Sequence, residues 1–299
     1  MNDQDMTIKI AEGDGFIAAL DQSGGSTPKA LRAYGVADDE WNGEEEMFAK
    51  IHEMRSRIIT APSFNGDRVI GAILFERTMD GMADGKPVPT LLKERGVVPF
   101  LKVDKGLEDE ADGVQMMKPI PGLDALVARA KDLGVFGTKM RSVINSASPK
   151  GIAAIVEQQF EVGKQILAGG LMPILEPEYS IKAEDRAEGE VILRDEILKQ
   201  LEGLPDGQQV MLKLSIPAVP NNYKALVDHP KVLRVVALSG GYTRDEACDE
   251  LAKNDGMIAS FSRALLEELR AQMSDDEFDA ALAEAIAAIY TASTQKVTA

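Results

Sequence analysis

The chain has 299 residues, of which 27% are charged and 44% apolar, and its formal net charge is -16. Those proportions are globular and exclude a disordered chain, while the length admits either one α/β barrel or two ordinary domains. So acidic a balance argues against nucleic acid or an acidic membrane as a partner, because each needs a basic face.

The chain opens on "MNDQDMTIKI", which lacks the apolar core of a secretion signal, and no later apolar run is long enough to cross a bilayer. The first strand is predicted over 16–21, "FIAALD". It runs into "QSGGST" and then a helix that stops at Gly35, with Ser26 or Thr27 as N-cap and Pro28 as the first helical residue. The gap that follows is expected to hold extra helices at about 27–60, around "GEEEMFAKIHEMRSRI". Seven more strands are predicted at 69–76, 97–103, 135–141, 171–177, 209–215, 232–239 and 257–263. Their near-continuous apolar runs suit strands covered on both faces, as in parallel sheets. Amphipathic segments lie between them, among them "IPGLDALVARAKDLG", "SPKGIAAIVEQQFEVGKQILAGG" and "EGEVILRDEILKQLEGL", and a last helix is predicted at about 274–293. Eight strands alternating with helices predict a single (β/α)8 TIM barrel spanning 1–299; two doubly wound domains are the alternative.

Each predicted strand carries a polar group at or near its C-terminal end: Asp21, Glu76, Lys102, Lys139 with Arg141, Glu176 with Glu178, Lys213 with Ser215, Ser239 and Arg263. In a barrel these ends meet on one face, where the active sites of that fold lie. Lysine inside an apolar strand is the sharpest local signal. "MLKLS" sets Lys213 between leucines, and "FLKVDKG" does much the same for Lys102. One such lysine is as readily structural as functional. Three at one level of successive strands favour chemistry. A desolvated amine attacks carbonyls to form a Schiff base, the more so beside a second cation such as Lys139. In "LEPE", Glu176 and Glu178 lie two apart and so share a face, which suits proton transfer and compensation of lysine charge. Plain charge balance accounts for Glu178 almost as well.

"ALSGG" at 237–241 echoes the "SGG" at 23–25. Both follow a strand and precede a helix, where glycines let backbone amides turn toward an anion. With Arg263 on the next strand, two such turns point to a substrate with two phosphates. One cysteine, Cys248, and two distant histidines, His52 and His229, are poor material for a disulfide or a zinc site. No metal or cofactor is expected, and the cytoplasm is the expected compartment.

Taken together, "GFIAALDQSGGSTPKALRAYGV", "LKVDKG", "LEPE", "MLKLS" and "LSGG" closely resemble class I fructose-bisphosphate aldolase of the compact bacterial kind, from about residue 15 to 265. The resemblance implies a metal-independent lyase on a (β/α)8 barrel. Its reaction is reversible cleavage of fructose 1,6-bisphosphate to dihydroxyacetone phosphate and glyceraldehyde 3-phosphate through a lysine Schiff base. It implies Lys213 as the Schiff-base lysine, Glu176 as acid/base for dehydration with Glu178 as its acidic neighbour, and Asp21 as the base at the first strand. Lys139, Lys102 and Arg141 match active-site cations. Ser239, Gly240 and Arg263 match the ketone-side phosphate site, and Ser23 and Ser26 the other one. Animal members end in a catalytic tyrosine, for which Tyr290 is the nearest candidate here. The alternatives are a Schiff-base aldolase for another sugar phosphate and a non-catalytic phosphate-binding barrel.

Overall fold

Eight apolar runs form parallel strands in the computed structural model, which describes residues 1–297. They are β1 (Phe16–Leu20), β2 (Val69–Leu74), β3 (Val98–Lys102), β4 (Gly137–Ile144), β5 (Met172–Tyr179), β6 (Val210–Ser215), β7 (Val232–Leu238) and β8 (Ile258–Ala259). Each pairs with the next in chain order. The ring closes where the Ala19 amide donates to the Phe261 carbonyl, 3.0 Å away, just past β8. This is a (β/α)8 TIM barrel, and its parallel strands bring all eight C-terminal ends to one face.

Every residue of β1, β2 and β6 is buried, as two-sided coverage requires. The apolar side chains divide into two clusters. An inner one fills the barrel with Ile17, Ala19, Phe100, Ile174, Met211 and Val236, among others. A larger outer one packs the strands against the surrounding helices. β4 and β5 stay in one register over all eight residues, from Gly137 beside Met172 to Ile144 beside Tyr179.

Several elements differ from the sequence expectation. The helix after β1 is Ser26–Tyr34, so it begins two residues before Pro28, and its N-cap is Gly25, with no side-chain cap. Ser26 is instead occupied locally: its hydroxyl accepts from the Ser23 amide and donates to the Ser23 carbonyl. β2 ends at Leu74, and Glu76 opens a short helix, Glu76–Met79. The expected last strand shrinks to Ile258–Ala259, and at Ser262, with φ -107° and ψ -77°, the chain turns into a helix at Arg263–Leu266. An N-terminal helix, Asp3–Glu12, was not expected; it places Met6 and Ile10 in the inner cluster and so closes the lower end of the barrel. Two long helices run over Gly43–Thr60 and Asp275–Thr294. No helix among the described residues is long and apolar enough to cross a membrane.

Candidate active site

Side chains two apart on a strand point the same way. On β1, Ile17 and Ala19 belong to the inner apolar cluster, and the next position of that parity is Asp21. Phe100 is followed by Lys102 and Asp104, Ile174 by Glu176 and Glu178, and Met211 by Lys213. The interior is therefore apolar below and charged above. The charged layer floors a cleft of about 1150 Å³ at the C-terminal face of the strands.

Four of these groups form an unbroken ionic chain. Glu176 meets Lys213 Nζ through Oε1 at 3.1 Å and Lys139 Nζ through Oε2 at 2.7 Å. Lys139 Nζ lies 2.6 Å from Asp21 Oδ2. All four side chains are buried. Glu176 Oε2 touches the Lys139 ammonium at ion-pair distance but off hydrogen-bond alignment, so the contact is chiefly one of charge. Burial alone would raise the Asp21 carboxyl, but the ammonium groups of Lys139 and Lys213 prevail and hold it well below the usual carboxylate range. Burial would likewise lower Lys139, yet the carboxylates of Asp21, Glu176 and Asp104 prevail and hold its ammonium above the ordinary lysine range. Asp21 thus stays ionised, the form a base requires.

The other expected residues surround this floor and line the same cleft. Lys102 does not join the chain; its Nζ donates to the carbonyl of Asp104 at 2.8 Å and to its carboxylate at 2.7 Å. Arg141 Nε pairs with Glu178, so Glu178 serves an arginine rather than the two lysines. Burial would lower the Arg141 guanidinium, but the carboxylates of Glu178, Glu176 and Asp104 together prevail and raise it. Ser23 and Ser26 line the cleft from the loop after β1, and Ser239 and Gly240 from the loop after β7, with Arg263 beside Gly241. Ser215, at the mouth of β6, turns away and donates to the Tyr179 carbonyl at 2.6 Å. Glu76 reaches the rim but is tied to Lys105 and Arg129.

Residues 4–213 match the family model described as fructose-bisphosphate aldolase class-I, well over half of the chain. The chain belongs to that family. The matched span contains Asp21, Lys102, Lys139, Arg141, Glu176 and Glu178 and ends on Lys213, whereas Ser239, Gly240 and Arg263 lie beyond it. The fold is similar to that of a fructose-bisphosphate aldolase from Plasmodium falciparum, solved with TRAP and a small-molecule inhibitor. The identity is 20% over 99% of this chain and 96% of that one, with a TM-score of 0.77. A structural-genomics protein from Corynebacterium glutamicum is more distant, at 15% identity over 97% and 92% of the two chains and a TM-score of 0.56. At such identities both show the barrel fold alone.

Sequence reasoning passed over Asp104, although "LKVDKG" contains it. This buried carboxylate binds Lys102, accepts from the Arg141 amide at 3.2 Å and acts on Lys139 by charge. Its partners come together only in the folded barrel. Tyr290 is not among the residues of the cleft; its ring lies under Arg68, the residue that precedes β2 at the opposite end of the strands.

Proposed function

We propose that the protein is a class I fructose-bisphosphate aldolase that reversibly cleaves fructose 1,6-bisphosphate to dihydroxyacetone phosphate and glyceraldehyde 3-phosphate, with Lys213 forming the Schiff base. The observation that carries this reading is the Glu176 carboxylate set between two buried lysines, one on each oxygen. A lone structural ion pair needs one lysine. Imine chemistry needs a nucleophilic amine, a group that shuttles its protons and a second cation that stays charged.

In this reading Glu176 takes a proton from the Lys213 amine, which attacks the C2 carbonyl of the open-chain sugar. Glu176 returns a proton to the C2 hydroxyl, which leaves as water and yields an iminium. Asp21, kept ionised beside Lys139, takes the C4 hydroxyl proton. The C4 oxygen becomes a carbonyl as the C3–C4 bond breaks, and the electron pair moves into the iminium to give an enamine. Glyceraldehyde 3-phosphate departs. The enamine gains a proton at C3, and water hydrolyses the imine to release dihydroxyacetone phosphate and free Lys213. The serine-glycine turns at 23–26 and 239–241, with Lys102, Arg141 and Arg263, supply donors and positive charge for two phosphates despite the acidity of the whole chain. Holding both ends orients C2 over Lys213 and C4 over Asp21, which lowers the entropic barrier.

Borohydride reduction in the presence of dihydroxyacetone phosphate tests the reading. It is expected to inactivate the protein and leave the adduct on Lys213, and Lys213→Met is expected to stay folded and lose all turnover. Cleavage of fructose 1,6-bisphosphate should persist in EDTA. An adduct confined to Lys102 or Lys139, or a loss in EDTA that zinc restores, would overturn it. An adduct on Lys213 without cleavage of fructose 1,6-bisphosphate would mean a different sugar phosphate.

A further inference from the structure

Arg55 takes no part in the steps above, yet it is fully buried. Charged side chains are seldom so enclosed without an ion-pair partner. It rises from the helix Gly43–Thr60 on the stripe that also buries Met47, Ile51, Met54 and Ile58. Its hydrogen bonds all go to neutral oxygens. Nη1 donates to Thr78 Oγ1 at 2.9 Å, and Nη2 donates to both the backbone carbonyl and the side-chain Oε1 of Gln22. Its Nε is buried without a partner. Burial brings the guanidinium down to about 10, and the Asp21 carboxylate offsets part of that effect.

What Arg55 holds matters more than its own state. Gln22 directly follows Asp21, and its Nε2 donates to Ser262 Oγ at 2.7 Å and to the Ala19 carbonyl at 3.4 Å. Ser262 directly precedes Arg263. A single buried cation therefore grips the segment that carries the expected base and, through Gln22, the segment that carries the expected phosphate-site arginine. These come from the first and the last strand of the barrel, where the ring closes.

We propose that Arg55 is a positioning residue that clamps Gln22, and so fixes Asp21 against Lys139 while joining it to the Ser262–Arg263 segment across the barrel closure. The catalytic half of this inference rests on the reading of Asp21 as the base. The mechanical half rests on geometry alone.

The test uses the full chain with Arg55→Met and Arg55→Lys. For Arg55→Met, kcat for fructose 1,6-bisphosphate is expected to fall on the order of tenfold to a hundredfold, since small displacements of a reacting group cost that much. Lysine, which keeps the charge but lacks the fork, should restore part of it. Borohydride trapping of dihydroxyacetone phosphate on Lys213 should be unchanged, because imine formation does not use Asp21. In an Asp21→Asn background, Arg55→Met should add little further loss, whereas losses that multiply in the double variant would show that Arg55 does not act through Asp21 and would overturn the inference. Amide hydrogen exchange provides an arm independent of turnover. Residues 22–26 should exchange roughly tenfold faster in Arg55→Met while β5 and β6 keep their protection. Unaltered exchange at 22–26 would also overturn it. If the wild-type chain does not cleave fructose 1,6-bisphosphate, the proposed function fails, and the exchange arm still decides whether Arg55 clamps the loop. If Arg55→Met does not fold, Arg55→Lys carries both readouts, with a smaller loss of kcat and a smaller gain in exchange.

Discussion

Lys139 and Asp21 meet at 2.6 Å with both side chains buried, and each holds the other charged. The carboxyl of Asp21 titrates below its ordinary 3.8, so its contribution to stability is complete above that value and is lost only as pH falls through the lower folded value. The ammonium of Lys139 titrates above its ordinary 10.5, so its contribution is complete below that value and is lost only as pH rises through the higher folded one. Between those limits the pair contributes a constant amount. Lys139→Met should cost about 3–5 kcal/mol at neutral pH, the usual effect of stranding a buried charge. Asp21, deprived of its main partner, should then bind a proton more readily folded than unfolded, so the variant gains stability from pH 7 to pH 5 while the wild type does not. Urea denaturation at the two pH values measures this, and a variant no more stable at pH 5 would contradict it.

Asp21→Asn keeps the shape of the side chain and removes the base. The variant should bind substrate and form the reducible adduct on Lys213. Cleavage should fall by ~10²–10⁴, the scale of a lost general base. Single-turnover cleavage beside borohydride trapping separates the two steps, and near-normal cleavage would assign the hydroxyl proton to another group, with Glu176 the first to examine.

Arg263 lies beside Gly241 at the mouth of the cleft. Arg263→Ala should weaken the binding of fructose 1,6-bisphosphate by roughly 1.5–3 kcal/mol, the worth of a charge-assisted contact. Calorimetric titration in the Lys213→Met background reads binding without turnover. An unchanged affinity would place the phosphate elsewhere.

The two glycine turns should respond unequally to substitution. Gly240 and Gly24 both adopt left-handed backbone, at φ 61° and 52°. A Cβ at Gly240 would stand 2.6 Å from Ile181 Cγ2, whereas nothing lies within 4 Å of one at Gly24. Gly24→Ala should therefore cost only the left-handed penalty, about 1–2 kcal/mol. Gly240→Ala must also displace Ile181 or its own loop. Comparison of KM and melting temperature for the two variants should show Gly240→Ala to be the worse on both measures; the reverse order would mean that the turn at 239–241 yields without consequence.

Much of this molecule was legible beforehand because barrel strands are covered on both faces and leave unbroken apolar runs. A charge at the end of such a run then stands out, which is why Lys213, Lys139, Glu176 and Asp21 could be named from the sequence. Arg55 could not be picked out the same way. It sits among other charges in "HEMRSRI", and only its place four residues after Ile51 and three before Ile58 marks it as inward. The N-terminal helix escaped notice because only Met6 and Ile10 anchor it. The end of β8 is harder to read because Phe261 prolongs the run in "MIASFSR", whereas at the turn Ser262 accepts from Gln22, which lies at the other end of the chain.

The common register of β4 and β5 makes this chemistry a matter of counting residues. One residue added to β4 below Lys139 would point the ammonium outward, among the helices, with the strand itself otherwise intact. Two would return it to the interior but raise it by roughly 6.6 Å along the strand, beyond the reach of Asp21. The barrel wall is thus a ruler with one correct mark, and only the loops on either side of it can change length without moving the ammonium.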